Sequence, residues 1–566
     1  MRCLPVTPPG SRTIAFSKAC AYHIRLWGCA VHHEQQPPAS TAFLRRTGTR
    51  RAILAGGAAV AAAGAAGAAI AFGLSSNEAR VQPGPGGGAN NGGAGKQPTT
   101  PAAQALDIPI ADPKRRAAHL LRRAGFGGTR AQIDEFAALS REEAADRLLN
   151  YSAVDNSALD SILAAANLNL VDNPRDLQRW WLMRMAFTAR PLEERMTFIW
   201  HGLLTSQVSK IGGQRAKLMV IQNELFRANA LPIYDTLVKA VSHDPAMLYY
   251  LDTVDSTRQH PNENYARELM ELFTLGVGNY TEDDVRESAR AFTGWRFSRP
   301  AKPPVDLNTL SREERREVEH RLIDEWDPKF ELDTRKHDYG QKTFLGKTGP
   351  WDGDDIVGII MEQPAAGRFI CRRLFMEFAH LGPDEETLDA LLKVWNDSGH
   401  DIRAIVRAIL VSDEFYSERS YRALVRSPIE FMIGAIRGLE IREIGQGSVN
   451  EKAYRGMDQV LFEPPNVAGW PGGAAWLSSS TFFARVNFLD QFLFGLKGRP
   501  VALPALASAS TSEDLVDQAL AIFVDGNVPA QSRDALYAHA RTIADARERA
   551  ATVAYLVLAS PEYQLI

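Results

Sequence analysis

Cysteine is scarce in this sequence, and its placement limits the chemistry that it could supply. The chain has 566 residues and four cysteines, of which Cys3, Cys20 and Cys29 lie near the N-terminus. Cys371 is alone in the remaining chain, so that part can form no intramolecular disulfide, and no Cys-x-x-Cys pair is present for zinc. Because apolar residues flank Cys371, we expect it to be a small buried core residue.

Several catalytic motifs are also missing. There is no His-Glu-x-x-His sequence and no second histidine at metal-ligand spacing from His201. A phosphate-binding glycine loop, a nucleotide fingerprint and a Gly-x-Ser-x-Gly elbow are absent too. These absences argue against a zinc metalloprotease, a P-loop nucleotide-binding protein, a dinucleotide-binding enzyme and an α/β-hydrolase. The sequence predicts no metal site, and it leaves any cofactor undetermined.

A surplus of positive charge is absent once the first 80 residues are set aside. Those residues hold nine Lys or Arg against two acids, a surplus of +7. Since the whole chain carries a formal net charge of −3, residues 81–566 carry −10. General nucleic-acid binding depends on a basic surface, so we expect no nucleic-acid partner.

The basic N-terminal segment has the pattern of an export signal. Arg50 and Arg51 open a twin-arginine pattern, followed by an Ala/Gly-rich stretch from Ala52 to Leu74. Residues 69–71 offer a small-x-small cleavage site. The stretch is long enough to serve instead as an uncleaved membrane anchor, but its weak hydrophobicity favours cleavage. We expect export by the twin-arginine route to the periplasm, cell envelope or exterior, with membrane contact only through this segment if it is uncleaved.

Composition divides the chain into three parts. Residues 1–80 form the N-terminal extension and signal, and residues 81–110 form a linker rich in Gly, Pro and small polar residues. Residues 111–566 form the folded part. That length exceeds a typical single domain, so one large domain and two intimate lobes are both compatible with it.

Helical periodicity dominates the folded part and predicts a mainly α fold with long irregular loops. The charged segment 306–326 is predicted to be an exposed helix. Residues Lys329 to Phe344 are expected to form a short β-hairpin. Other helices are predicted over 140–149, 174–189, 191–206, 213–229, 352–362, 364–380, 384–397, 401–411, 427–439, 480–494 and 529–559.

The densest group of polar, aromatic and glycine residues spans Pro261 to Trp295. A helix over residues 262–275 would place Glu263, Arg267 and Glu271 on one face as an acid–base–acid ladder. A structural ion-pair face is one interpretation of this ladder, and a ligand-binding face is the other.

Glycine ends that helix in the prediction. Gly276 and Gly278 can adopt the left-handed conformation that a helix end requires. Thr281 then caps a second helix, with Asp284 in the capping-box position.

Five long segments carry a resemblance to a known family, in the right order and over nearly everything after residue 110. The chain resembles the exported bacterial proteins that contain domain of unknown function 1800 (DUF1800). The resemblance implies a shared fold and export in the folded state, but no settled reaction. Family members are often encoded beside another exported family that looks like a phosphatase or sulfatase, which implies a co-exported partner. The segments are HLLRRAGFG (119–127), FIWHGLLTS (198–206), 261–295, HDYGQKTFLG (337–346) and LFEPPNVAGWPGGAAWL (461–477).

Three His-Asp dipeptides invite comparison with metal phosphohydrolases. Asp244 and Asp401 each sit where a helix N-cap is expected, which explains two of the three pairs. His337 and Asp338 precede Tyr-Gly in a loop or hairpin, so a catalytic role and a simple turn held by the aspartate both remain open.

His201 and two glutamates are the other catalytic candidates. His201 follows a strongly apolar run, where a buried core histidine and a catalytic one are both possible. Glu263 and Glu268 could supply paired carboxylates for acid–base hydrolysis. Their spacing of five residues, however, puts them about 140° apart around a helix.

An irregular loop runs from Pro464 to Gly473. Its prolines and glycines exclude regular structure. Together with Trp295 and Trp476, the loop residues Asn466 and Trp470 could form a sugar-stacking platform, or the loop could plug the core between helices. Arg267 is the remaining candidate substrate ligand, although a clamp between two glutamates is the alternative.

We hypothesise that three of these segments, 262–267, 337–338 and 466–470, meet at one concave, acidic site. Asp338 would then lie near the start of the 262–275 helix, whose unpaired amides stabilise a carboxylate. Such a site suits a cation or a polyhydroxylated ligand such as a carbohydrate polymer.

Two functional hypotheses follow. One is a hydrolase that acts on an envelope or extracellular polymer. The other is a non-catalytic exported scaffold or partner of another secreted protein.

A shorter similarity links two distant segments. Residues 408–417 and 556–565 each end an apolar helix with Ser-x-Glu-aromatic. A duplicated helical unit and a common way of ending a helix both explain the match.

Export provides the first test. Replacing Arg50 and Arg51 with lysine keeps the positive charge but removes the twin-arginine signal. We expect the double variant to stay in the cytoplasm as a full-length precursor, as measured by fractionation and immunoblotting. Export at the normal level would contradict the predicted route.

Overall fold

Helices account for most of the chain that the structure describes. This computed structural model describes residues 109–212, 215–443, 451–495 and 498–566. The predicted mainly α class is confirmed, because strands within these ranges are confined to two short antiparallel pairs. The predicted signal and nearly all of the linker lie outside the described residues, so the three-part division remains a prediction.

The first half of the described chain contains thirteen α-helices. They are α1 Pro113–Gly125, α2 Arg130–Ala137, α3 Arg141–Leu149, α4 Ser157–Ala165, α5 Pro174–Phe187, α6 Pro191–Leu203, α7 Val208–Ile211, α8 Ala216–Ala228, α9 Tyr234–Ser242, α10 Pro245–Tyr250, α11 Asn264–Glu268, α12 Glu282–Ala291 and α13 Arg312–Asp324.

Ten more α-helices follow in the second half. They are α14 Gly353–Met361, α15 Pro364–Phe378, α16 Glu385–Ser398, α17 Ile402–Val411, α18 Pro428–Gly438, α19 Glu451–Gly456, α20 Ser479–Phe494, α21 Ser512–Val524, α22 Ala530–Arg541 and α23 Ala546–Leu558.

Helix starts follow from local side-chain chemistry. Ser140, Thr281 and Ser311 each open a helix through the predicted capping box. Asp244 and Asp401 cap α10 and α17, which confirms their structural interpretation. The prediction of one helix over 529–559 is wrong, because that segment forms α22 and α23 with a fresh N-cap between them.

The helix predicted over 262–275 is present, but its second half changes type. Residues Leu269–Thr274 form a π-helix, in which each turn holds an extra residue. The helix ends as predicted, since Gly276 and Gly278 have φ angles of +79° and +87°. The extra residue rotates everything after Glu268 relative to the residues before it.

The predicted hairpin over Lys329 to Phe344 is wrong in its pairing. Strand β2 (Phe330–Leu332) pairs instead with β1 (Trp295–Phe297). Strand β3 (Lys342–Phe344) pairs with β4 (Lys347–Gly349), so a hairpin forms one step later in the chain. Residues between β2 and β3 thereby become a loop, and this loop carries His337 and Asp338.

Two hydrophobic clusters form the core. The first gathers residues from α1–α3, α6, α8–α12 and α14–α17, and it includes Cys371, which is buried as predicted. Burial raises the pKa of that thiol to about 12. The second gathers residues from α5, α7, α18–α23 and, like the first cluster, from α8 and α10. Helix α6 belongs to both, because Phe198 packs in the second cluster and Ile199 and Trp200 in the first.

The two similar segments adopt the same local structure, one in each cluster. Ser412 and Ser560 each accept a hydrogen bond from the amide of the aromatic residue three positions later, at 3.1 and 3.4 Å. Each segment then ends in an isolated antiparallel bridge, Pro109 to Ser417 and Val425 to Leu565. This shared geometry favours a duplicated helical unit.

Within the described ranges, none of the helices is long and apolar enough to cross a membrane.

Two exposed or half-exposed glycines allow the helix-ending role to be tested. Gly278 has φ of +87° and no atom within 4 Å of an added Cβ, so Gly278→Ala meets backbone strain without a clash. We expect a loss of about 1 kcal/mol in the free energy of unfolding. Gly358 lies within α14 with equally open space. Gly358→Ala should therefore gain roughly 0.5–1 kcal/mol from helix propensity. Equal denaturation midpoints for the two variants would contradict the assigned turn.

Candidate functional site

The end of α6 and the loop 461–470 pack directly against each other and bring two motifs together. His201 lies among the rings of Trp181, Phe462 and Trp470, with centroid distances of 5.2, 5.2 and 5.7 Å. Phe226 completes this aromatic cage at 6.4 Å. The cage fixes the imidazole by packing.

Glycine allows the backbones of these two segments to touch. A Cβ at Gly469 would come within 2.5 Å of the Gly202 carbonyl oxygen, and Gly469 also has φ of +84°. The Thr205 hydroxyl donates a hydrogen bond to the Val467 carbonyl oxygen at 2.5 Å. The loop therefore packs against the C-terminal end of α6. This packing agrees with the interpretation that the loop plugs the core between helices.

His201 is neutral in this environment. Its ring is 1% exposed, and neither ring nitrogen has a hydrogen-bond partner in the part of the chain that the structure describes. Burial lowers its pKa to about 3. An imidazole that stays unprotonated near neutral pH and lacks a proton donor or acceptor is poorly placed to move a proton.

The charges of Glu268 and Glu463 act on Tyr250. Burial, followed by these two charges, raises the pKa of the Tyr250 phenol. Burial and the neighbouring Glu271 raise the pKa of Glu268. Glu463 accepts a hydrogen bond from Ser209 at 2.8 Å. Carboxylates from two different segments thus act electrostatically on one buried phenol.

Helix α7 links this region to the start of α11. Lys210 forms an ion pair with Asp252 at 2.9 Å, next along α7 from the Ser209 that binds Glu463. Asp252 in turn accepts a hydrogen bond at its backbone oxygen from the Asn262 side chain, at 3.2 Å. The loop 461–470 and the 262–268 segment are therefore neighbours through α7.

His337 and Asp338 are held by the segment that ends α12. His337 is 3% exposed and shares a hydrogen bond of 2.8 Å between Nδ1 and the Thr293 carbonyl oxygen. The Asp338 carboxylate binds Arg290 at 2.8 Å and accepts the Gly340 amide. Burial alone raises the pKa of Asp338, but the hydrogen bond from Arg290 outweighs it and the pKa is lowered.

The predicted stabilisation of Asp338 by the start of α11 is therefore wrong. Its carboxylate is neutralised by Arg290 of α12 and by a turn amide, which is close to the alternative interpretation of an aspartate-held turn. The two segments still share a neighbour. Ser256 binds the Asn262 amide through its hydroxyl and the Gly294 amide through its carbonyl, both at 3.0 Å.

Arg267 does not join Glu263 to Glu271 as the ladder predicts. It contacts Glu263 at 3.3 Å, and its second partner is Glu282, which it binds through two hydrogen bonds of 2.8 Å. Glu271 accepts a hydrogen bond from Tyr280 instead. The π-helix that begins at residue 269 explains the change, because it moves Glu271 out of i+4 alignment.

The remaining predicted ligands differ in exposure. Trp295 and Trp476 are buried, at 3% and 4% exposure, so neither ring offers an open face. Trp470 is half-buried against His201 and Phe198. Asn466 is exposed, and its side chain accepts the Ala468 amide in a turn. The substrate-binding roles of these residues and of Arg267 remain predictions, as do the catalytic roles of the five residues proposed for catalysis.

The structure groups the predicted residues into three neighbourhoods: His201 with Trp470, Glu268 with Tyr250 and Glu463, and Asp338 with Arg290. Sequence reasoning missed Tyr250, Glu463 and Arg290. Glu463 lies inside the LFEPPNVAGW motif and could have been found there. Tyr250 and Arg290 carry no comparable local signal, because their partners are distant in sequence.

In residues 109–566, apart from the three short undescribed gaps, no cluster of three or more His, Cys, Asp or Glu side chains could hold a metal ion. Two of the carboxylates described above, Glu263 and Asp338, are already paired with arginine.

The fold and these neighbourhoods define a large, mainly helical protein whose sequence motifs interlock at helix ends. The chain belongs to the DUF1800 family, described as a protein of unknown function, whose family model matches residues 119–565. No curated protein and no solved structure matches the chain.

The contact between Gly469 and Gly202 can be tested with a matched pair of substitutions. Gly472 also has positive φ, +67°, but an added Cβ there meets nothing within 4 Å. With ψ of −174°, Gly472 lies in a backbone region that is essentially restricted to glycine, so Gly472→Ala should cost about 1–3 kcal/mol from backbone strain. Gly469→Ala adds a clash with a carbonyl oxygen, so we expect a further loss of roughly 1–3 kcal/mol. Chemical denaturation measures the loss in the free energy of unfolding for both variants. Equal losses would show that the close approach of Gly469 to Gly202 does not stabilise the end of α6.

Proposed function

We propose that this chain is an exported, non-catalytic protein that acts as a partner or scaffold for another exported protein. The observation that carries the proposal is that four of the candidate catalytic side chains are enclosed by, or bonded to, other groups of the protein. His201 is caged by aromatic rings, and His337 is bound to a backbone carbonyl. Asp338 and Glu263 are each paired with an arginine. Groups held in this way stabilise a scaffold and have little freedom to act on a substrate.

The burial of the aromatic candidates supports the same proposal. A sugar-stacking platform needs an exposed ring face, whereas Trp295 packs against His243 and Phe330 with centroid distances of 4.7 and 5.1 Å. A carbohydrate polymer is therefore the less favoured partner. The favoured partner is a co-exported protein encoded nearby, as the family resemblance implies.

Export by the twin-arginine route is part of the proposal. It rests on Arg50, Arg51 and the Ala/Gly-rich stretch after them. That route carries folded proteins, which suits a chain whose two hydrophobic clusters share a helix.

A hydrolase is the second candidate, and one observation favours it. Glu268 has a raised pKa, a property expected of a general acid, and its charge acts together with that of Glu463 on Tyr250. In a hydrolase of an envelope or extracellular polymer, Glu268 would protonate the leaving group and Glu463 would activate water or stabilise charge.

Glu268→Gln separates the two candidates. The mature protein would be incubated with isolated envelope polysaccharide and peptidoglycan, and the release of reducing ends would be measured. As a scaffold, the parent should release none above a boiled control. As a hydrolase, it should release them with a loss of about 10²–10⁴-fold in Glu268→Gln, the usual contribution of a general acid.

Glu263→Gln is the matched control, because it removes a neighbouring half-buried carboxylate that contacts Arg267 and not Tyr250. Activity that falls in Glu268→Gln and persists in Glu263→Gln would overturn the non-catalytic proposal. In parallel, crosslinking in the exported fraction should attach the parent and Glu268→Gln equally to one co-exported protein.

A further inference from the structure

An unusual number of arginines is buried where α1, α6, α18 and α20 approach each other. Two of them have buried carboxylate partners: Arg122 binds Asp525 and Arg195 binds Glu430. Arg485 has no carboxylate partner among the described residues, but it donates to the Gln564 side chain at 3.1 Å and to the Arg426 carbonyl oxygen at 2.7 Å. Neutral oxygens thus bind both of its terminal nitrogens, although its buried Nε has no partner among the described residues.

Arg426 differs from these neighbours. Its side chain is 2% exposed, and across the described ranges its guanidinium has neither a carboxylate partner nor a hydrogen-bond acceptor. The face of the guanidinium packs on the Tyr563 ring, with 4.3 Å between Cζ and the ring centroid. That contact leaves the N–H groups in the guanidinium plane without acceptors.

A narrow cleft adjoins this guanidinium. It is lined by Arg122, Arg426, Tyr563 and the glycines Gly127, Gly128 and Gly434. Gly434 keeps it open, because a Cβ at that position would lie 3.2 Å from Arg426 Nη1 and 2.8 Å from the Tyr563 hydroxyl. The space admits roughly one water-sized group.

The buried positive charge around the cleft indicates the charge of the ligand that it would bind. The two ion pairs cancel internally. Arg426, Arg485 and Arg123, which binds only backbone oxygens, have no carboxylate partner among the described residues, so they leave a buried surplus of three positive charges. Burying an unpaired charge is costly unless a counter-charge and hydrogen-bond acceptors are supplied. Burial lowers the pKa of Arg426 to about 10, which still leaves it charged at neutral pH. Water would supply an acceptor but no counter-charge.

We propose that this cleft is a binding site for a small inorganic monoanion of about the size of chloride, held by the Arg426 guanidinium. The narrow space excludes larger oxyanions and organic anions. Tyr563 donates its own hydroxyl proton to the Phe431 carbonyl oxygen at 3.0 Å, so its contribution is to orient Arg426.

The first test is the chloride dependence of thermal unfolding. The mature chain would be compared in sodium chloride and sodium gluconate at equal ionic strength, because gluconate is too large for the cleft. Above the dissociation constant, Tm should rise by roughly 1–3 °C for each tenfold increase in chloride. Gluconate should give no such rise.

Variants connect this effect to the cleft. Arg426→Met should lose the chloride-dependent rise. Arg123→Met is the matched control, since Arg123 is also fully buried but donates to the backbone of Ser420 and Ala379. It should melt at a lower temperature and keep the rise. If Arg426→Met does not fold, Gly434→Ala provides the second variant, because its methyl group occupies the cleft while the arginine stays.

Bromide locates the ion directly. Crystals of the parent soaked in sodium bromide should show an anomalous peak beside the Arg426 guanidinium. Equal Tm in chloride and gluconate, or no bromide peak in the cleft, would overturn the proposal and assign the cleft to water alone. A chloride effect that survives in both Arg426→Met and Gly434→Ala would overturn it as well.

Discussion

The buried charges of α6 constrain how the helices around it can be arranged. Glu194 is fully buried and accepts hydrogen bonds from Trp181, Arg184 and Arg227, which come from α5 and α8. Burial alone would raise its pKa, but the two arginines outweigh that effect and the pKa is lowered. The next residue, Arg195, pairs with Glu430 of α18. Losing one partner of such a pair typically costs about 3–5 kcal/mol, so each neighbouring helix is restricted to positions that keep these contacts.

This constraint also determines where the motif residues lie. With its middle held by ion pairs, α6 directs its C-terminal end, His201 to Thr205, toward the loop 461–470. The loop contributes Gly469 where the two backbones are in contact, and it contributes Trp470, whose ring packs against His201. Residue types that in isolation indicate chemistry are here required by packing. Among the described candidate catalytic residues, Glu268 is the one that is neither packed among aromatic rings, nor hydrogen-bonded to a backbone carbonyl, nor paired with an arginine. The catalytic alternative therefore depends on Glu268.

Local signals in the sequence were sufficient for much of the fold. Helix starts at Ser140, Thr281 and Ser311 were predictable because a capping box is encoded by residues three apart. The helix end at Gly276 was predictable because left-handed backbone favours glycine. Most of the long helical segments were also predictable from their periodicity. The helices α1 and α21 were not predicted, however, and the break that separates α22 from α23 was missed.

Long-range pairing was not predictable in the same way. Asp338 binds Arg290, 48 residues away, and β2 pairs with β1 across the whole charged excursion that contains α13. Nothing near either residue in the sequence indicates its partner. The π-helix is a further example: one additional residue per turn is invisible in the periodicity of so short a segment, yet it gave Arg267 a different partner. The sequence therefore indicated the candidate site residues, but it did not indicate which distant residues they contact.

The position of α6 in both hydrophobic clusters has a consequence for folding. Each cluster carries one of the two segments that end in Ser-x-Glu-aromatic, and two such bodies could in principle fold and unfold independently. Here the same thirteen-residue helix buries Phe198 on one side and Trp200 on the other. If either cluster opened, α6 would lose part of its burial, and so would α8 and α10, which also contribute to both clusters. The clusters are thus thermodynamically coupled, and the chain should behave as one cooperative unit despite its length.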